Sequence, residues 1–136
     1  DTFGLSYREF DTPQGAWVMP TSTPVQFEPG PLRESIERMV AAQPACLYLT
    51  HYGRVYEVPS LARRLLALLD ETVEIGMRLR QHPERHPALK AALKTLYLDS
   101  LARHGCTLPP HRIEALLALD IELNAQGMGI WLDRLG

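Results

Sequence analysis

The chain has 136 residues, of which 46% are hydrophobic and 22% charged, and its formal net charge is −2. This length suits one globular domain with its own core, and the charge gives no electrostatic footprint for nucleic acid or an anionic membrane. No apolar run approaches the roughly 18 to 20 residues that a membrane span needs. Cys46 and Cys106 are the only cysteines, too few for a disulfide scaffold, so we expect a reducing cytoplasm.

The first 30 residues are rich in proline and glycine, which occupy seven positions. Such a composition predicts an irregular loop that contains at most one short strand. The chain starts at Asp1 and not at a methionine, so we expect a C-terminal piece of a longer protein. Long irregular segments usually pack on something or line a site, and we expect this one to wrap an N-terminal half of the same protein.

A helix and a strand are predicted next. Pro31 suits a first helical position, the apolar residues after it share one helix face, and Pro44 ends the pattern. Residues 45 to 50 are apolar without alternation, which indicates a strand covered on both faces. A helix followed by a buried strand is the unit of a layered α/β fold, in which ligands gather outside the carboxyl ends of the strands. His51 stands at that end.

From Pro59 to the end the pattern is helical. Leucines at steps of three and four between Leu61 and Leu79 predict a core helix of about 20 residues. Two prolines predict a break over 82 to 87, and a further helix should end at Gly105. Pro109-Pro110 opens the last helix, which Gly127 and Gly129 should weaken. The fold class is therefore α/β, mostly helical, with residues 1–58 as an α/β part and 59–136 as a helical subdomain.

Polar residues in this helical part are interpreted as surface. His82 and His86 have helical metal-ligand spacing, but the neighbouring prolines favour a solvated turn. The alternating polar residues from Asp120 to Gln126 indicate a polar helix face. Any leucine rows left exposed would form a domain contact or a homodimer contact.

Asp1 and His51 are the candidate metal ligands. An aspartate can bridge two divalent cations, and a neutral imidazole is the commonest nitrogen ligand of zinc. Two cations about 3.5 to 4 Å apart would supply a hydroxide nucleophile at neutral pH. From the residues alone, His51 could simply cap a strand.

Two sequence motifs strengthen the metal interpretation. Asp1-Thr2-Phe3-Gly4 resembles the Gly-Asp-(Thr/Ser)-(Leu/Phe)-Phe motif of metallo-β-lactamase-fold hydrolases without its leading glycine. The stretch from Leu47 to Gly53, with Thr50-His51-Tyr52, resembles their final motif, a strand ending in (Thr/Ser)-His. The resemblance covers about residues 1 to 58, and the helical tail is similar in general texture to the C-terminal extensions of glyoxalase II-like members.

The resemblance implies the C-terminal part of an αββα sandwich followed by a helical subdomain. It implies a zinc-dependent hydrolase with two metals, in which Asp1 bridges the metals and His51 binds the second. The three upstream motifs of the family would have to lie before Asp1, so this piece alone should be inactive. The expected substrate is a small molecule, an ester, thioester or lactone. A glutathione thioester is not supported, because the family's Gly-Cys-Gly-(Arg/Lys)-Phe stretch is replaced by residues 5 to 10.

Three further residues are candidates for a substrate pocket in that protein. Tyr7, Arg8 and Tyr52 lie near the two motifs in sequence, and Arg8 could pair with an anionic substrate group. Arg8 could equally be a surface residue and Tyr7 a packing residue. A second function class also stays open: a helical interaction or regulatory module without catalysis, since more than half of the chain is amphipathic helix.

Overall fold

Helices dominate this computed structural model, which describes residues 2–23, 25–49 and 52–136. Within those ranges the elements are a 3-10 helix (Arg8–Phe10), α1 (Pro29–Ala41), β1 (Leu47–Leu49), β2 (Gly53–Val55), α2 (Val58–Leu79), α3 (Arg85–Arg103) and α4 (Pro110–Arg134). Helix α2 packs against α1, α3 and α4, and α3 packs against α4. A mostly helical chain with a small sheet agrees with the coarse α/β prediction. None of the described helices is long and apolar enough to cross a membrane.

Prolines mark the starts of three helices. Helix α1 begins at Pro29, two residues before the predicted Pro31, because Pro29 satisfies the same condition at the first helical position. Pro110 holds the first position of α4, and Pro59 holds the second position of α2. Helix α1 ends at Ala41, and the following Gln43 has a positive φ of 53°. This left-handed residue turns the chain before Pro44.

The leucine rows of α2 are core, as predicted. Six residues of these rows are buried: Leu61, Leu65, Leu68, Leu69, Thr72 and Ile75. Leu65 belongs to a smaller cluster with α1 and the hairpin, whereas Leu69 belongs to the larger cluster with α3 and α4. Helix α2 thus joins the two cores of the chain.

The predicted break between α2 and α3 is wrong in extent. Helix α3 begins at Arg85, so His86 and Pro87 are helical and the break ends at Glu84. Pro87 is tolerated because it falls in the first turn, where backbone N–H groups have no intrahelical acceptor. Helix α4 runs unbroken through Gly127 and Gly129 to Arg134. Gly105 does adopt the predicted left-handed conformation after α3, with a φ of 87°.

The segment before α1 packs on the helices of this chain. Phe10, Trp17 and Met19 are at most 2% exposed and belong to the larger cluster. Phe10 meets Trp17 edge-on at 5.6 Å between ring centroids, and Trp17 meets Tyr97 of α3 at 6.0 Å. These three side chains are therefore covered by other parts of this chain. The contact of the segment with an N-terminal half of the protein remains a prediction.

The predicted strand is shorter and less buried than expected. β1 pairs antiparallel with β2, with Leu47 opposite Val55 and Leu49 opposite Gly53. Tyr48 is 73% exposed, so only one face of the strand is covered. Thr50, the predicted end of the strand, lies outside the described residues. Among the described residues the sheet is a two-stranded hairpin, which needs no second covering layer.

Candidate functional site

The two predicted metal ligands, Asp1 and His51, lie outside the described residues. Their sequence neighbours are described, and both lead into the smaller core cluster. Phe3 is 3% exposed and Leu49 is 7% exposed, and the two belong to the same cluster. Each of the two motifs therefore has a residue in the same core cluster.

Gly4 fixes the backbone after Asp1. Its φ is +85°, and a Cβ at this position would stand 2.4 Å from the carbonyl oxygen of Met19 and 3.1 Å from Leu65 Cδ1. Leu5 and Met19 exchange two backbone hydrogen bonds of 3.0 Å beside it. Only glycine accommodates this approach, because other residues strain at positive φ and would collide with backbone. This chain thus requires glycine at position 4 for a local packing reason.

Arg8 and Tyr52, two of the three predicted pocket residues, are in contact. The guanidinium carbon of Arg8 lies 5.1 Å from the ring centroid of Tyr52, a cation–π distance. The hydroxyl of Tyr52 hydrogen-bonds the carboxylate of Asp11, with its oxygen 2.7 Å from Oδ2 and 2.9 Å from Oδ1. Burial, followed by the Asp11 hydrogen bond, raises the pKa of Tyr52 from 10.0 to about 12. The Tyr52 side chain is therefore neutral, and its ring holds the Arg8 guanidinium at the surface.

Gly53 lies next to the Arg8 guanidinium. Its φ is +128°, and a Cβ there would stand 3.4 Å from Arg8 Nη2.

Asp11 is the residue of this cluster that the sequence analysis missed. No motif marks it, since an aspartate in a loop has no periodicity, and only the fold brings it to Tyr52.

Tyr7, the third predicted pocket residue, takes part in a different contact. Its hydroxyl donates to Asp120 Oδ2 of α4 at 2.5 Å, and its ring packs edge-on against Phe10. Burial and the Asp120 contact raise the pKa of Tyr7 well above its ordinary value. These contacts tie the N-terminal segment to α4. They agree with the alternative that Tyr7 is a packing residue.

Asn124 is a buried polar residue that the sequence analysis assigned to a polar helix face. It is 5% exposed, and its Oδ1 accepts from the Ser22 backbone N–H at 3.0 Å. Its Nδ2 donates to the Pro20 carbonyl at 3.2 Å and to the Tyr97 hydroxyl at 3.1 Å. The signal was present, because Asn124 continues the buried row Ile113, Leu117, Ile121 at helical spacing. Its amide binds the N-terminal segment to α3 and α4.

The remaining polar residues of that stretch form a surface network. Glu122 is 2.8 Å from His86 Nε2 and 2.9 Å from Lys90 Nζ, which joins α4 to α3. Hydrogen bonds from Lys90 and Gln126 lower the pKa of Glu122 to about 2. Nδ1 of His82 accepts the backbone N–H of Glu84 at 3.0 Å. The two histidines thus have separate local partners.

The predicted zinc ligands, Asp1 and His51, lie outside the described residues. Among residues 2–23, 25–49 and 52–136, no group of three or more His, Cys, Asp or Glu side chains is placed to hold a metal ion. A carboxylate and an imidazole are nevertheless donors that zinc accepts. Asp1 and His51 therefore remain the predicted ligands.

A cavity opens beside Tyr52. Its volume is about 250 Å³, and Tyr52, Arg54 and Arg64 line it together with the loop from Pro13 to Ala16. Its charged lining consists of Arg54, Arg64 and one carboxylate, Glu57, so the net charge of the lining is positive.

Comparison with known proteins gives no relative for this chain: the scan of protein-family models and the searches of curated proteins and of solved structures found no match.

Proposed function

We propose that this chain carries the last two metal-ligand motifs of a dinuclear metal-dependent hydrolase of the metallo-β-lactamase superfamily. Asp1 would bridge the two metals and His51 would bind the second, as the motifs imply. The proposed substrate is an ester, thioester or lactone. When bound, two divalent metals would supply a hydroxide nucleophile and polarise the scissile carbonyl.

One observation carries the proposal beyond the motifs. Tyr52 directly follows His51, and it contacts Arg8 and Asp11 from the segment that follows Asp1. The shared core of Phe3 and Leu49 supports the same convergence. Two motifs 50 positions apart are thus connected by contacts between their neighbours, as residues of one site would require.

The residues around the proposed site have separable roles. Asp11 accepts the Tyr52 hydroxyl and fixes the ring, and the ring in turn positions the Arg8 guanidinium. Arg8 is exposed, so its N–H groups can bind a carboxylate or phosphate of the substrate. Arg8 is then a positioning residue for an anionic substrate and takes no part in bond cleavage.

The test is metal content and hydrolysis of an ester, thioester and lactone panel by the native protein that carries this chain. His51→Ala should lose bound metal and hydrolysis while its thermal melt changes little. His111→Ala is the matched control, because His111 is an exposed histidine at the start of α4. Normal metal content and activity in His51→Ala would contradict the proposal.

The same measurements address the alternative of a helical interaction or regulatory module. If the native protein binds no metal and hydrolyses no member of the panel, the result favours a helical interaction or regulatory module. Arg8→Gln gives a second readout in an active protein: KM should rise for anionic substrates and stay unchanged for neutral ones.

A further inference from the structure

A second cavity, of about 360 Å³, lies between α2, α3 and the loop before Trp17. Its apolar wall contains Trp17 and Leu68, which are 2% and 4% exposed. Arg64 of α2 and Arg103 of α3 line the same cavity. An apolar wall with a few convergent polar groups is the usual composition of a small-molecule site.

Both arginines have spare donors. Arg64 makes one long hydrogen bond of 3.4 Å to the Gln14 carbonyl. Across the described part of the chain, neither Arg64 nor Arg103 is within ion-pair distance of a carboxylate. Glu71 also lines the cavity, so two guanidinium groups face one carboxylate there. The lining is therefore net positive.

Two carbonyl groups at the end of α3 are already hydrogen-bonded. The last carbonyls of α3 carry the negative end of the helix dipole. The Arg103 carbonyl accepts from Gln14 Nε2 at 3.5 Å, and the His104 carbonyl accepts from the Thr12 hydroxyl at 2.8 Å. The His104 ring contributes to the same anchorage, with Nε2 2.8 Å from the Gly15 carbonyl oxygen. The loop that forms the cavity wall is thus fixed to α3.

One hydroxyl in the cavity can serve a ligand. Ser100 Oγ accepts the indole N–H of Trp17 at 2.9 Å, so its own proton can be donated to a ligand oxygen. We propose that this cavity binds an amphipathic organic anion, with its apolar body over Ala67 and the small accessible parts of Trp17 and Leu68, and its carboxylate or phosphate on Arg64 and Arg103. The site uses neither predicted metal ligand and is proposed apart from the hydrolase activity. Arg64 and Gln14 also line the cavity beside Tyr52, so Arg103 is the arginine found in this cavity alone.

The test is calorimetric titration of the chain with phenyl phosphate and 3-phenylpropionate, against inorganic phosphate and benzyl alcohol. Both amphipathic anions should bind more tightly than either comparison compound. Arg103→Gln or Arg64→Gln should weaken their binding by about 10-fold or more, the scale of a lost charge-assisted hydrogen bond. Arg78→Gln, an exposed arginine on α2 outside the cavity, should leave binding unchanged.

A steric variant tests the location. Ala67 lines the cavity and is exposed, so Ala67→Phe should fill the space and abolish binding while the thermal melt stays close to that of the wild type. Absence of binding at millimolar ligand, equal loss in Arg78→Gln and Arg103→Gln, or equal affinity for benzyl alcohol would each overturn the proposal. Because none of these measurements involves metal or hydrolysis, their failure is distinct from failure of the proposed function.

Discussion

At the level of single residues, glycines and tyrosines hold the N-terminal segment in place. Gly4 permits a backbone approach that no other residue allows, and Tyr7 and Tyr52 each direct a hydroxyl to a carboxylate from a distant part of the chain. These contacts join residues 41 to 113 positions apart. Substitutions at such positions should therefore report on tertiary contacts.

Gly4→Ala should destabilise the chain by about 2 kcal/mol or more, since positive φ and a collision with backbone act together. Gly15→Ala is the matched control, because Gly15 has a φ of +104° but no atom within 4 Å of its Cβ position. It should cost only the backbone strain, about 1 kcal/mol. Denaturant unfolding of both variants measures the difference. Equal destabilisation by the two substitutions would show that the Met19 backbone moves away from the added methyl group.

Tyr52 should make stability fall at alkaline pH. Its pKa rises from 10.0 to about 12 on folding, so the folded state retains a proton that the unfolded chain releases. Its contribution is complete below pH 10 and is lost as the pH rises toward 12. Tyr52→Phe should therefore show a shallower alkaline decline in free energy of unfolding. The decline should not vanish, because folding also raises the pKa values of Tyr7 and Tyr97.

The measurement is the urea midpoint as a function of pH across this range. Tyr48→Phe serves as control, since Tyr48 is 73% exposed. A Tyr52→Phe profile parallel to that of the wild type would refute the role of the Asp11 contact.

At the level of elements, α4 carries two glycines with opposite roles. A Cβ on Gly127 would stand 2.5 Å from Ser22 Oγ and 2.6 Å from the Thr23 carbonyl oxygen, whereas a Cβ on Gly129 would meet only Arg85 Nη2 at 3.7 Å. Gly127 is thus required for the N-terminal segment to dock on α4. Gly129 has no such constraint.

Gly127→Ala should lower the free energy of unfolding by about 1 to 3 kcal/mol through overpacking. Gly129→Ala should raise it by up to about 1 kcal/mol, because alanine has the higher helix propensity and its methyl group fits. Thermal melts of the two variants check this opposition. Stabilisation by both alanines would show that Ser22 and Thr23 are not held against α4.

At the level of the whole molecule, the N-terminal segment and the helices share one large core. Leu5, Phe10, Trp17 and Phe27 belong to the same cluster as residues of α2, α3 and α4. The division into an α/β part, residues 1–58, and a helical subdomain, residues 59–136, remains a prediction. For folding, the shared core favours a single cooperative unit.

That expectation can be tested with two probes in one variant. Trp131→Phe leaves Trp17 as the sole tryptophan of the chain. Trp17 fluorescence then reports on the N-terminal segment, and far-ultraviolet circular dichroism reports on the helices. Their unfolding transitions should coincide, as in a two-state domain. Loss of the Trp17 signal at lower denaturant would instead show a segment that detaches before the helices melt.

The sequence alone determined the helices, the proline-rich start and the apolar rows of α2, because these follow from local spacing and backbone chemistry. It also supplied the motifs around Asp1 and His51 and the candidates Arg8 and Tyr52. The tertiary structure decided what those residues meet. It gave the Asn124 amide its partners Pro20 and Ser22, brought Asp11 to Tyr52, and placed Arg64 and Arg103 in the lining of one cavity. Such contacts join residues that are far apart in the chain, so they depend on helix packing geometry, which leaves no periodic signal in the sequence.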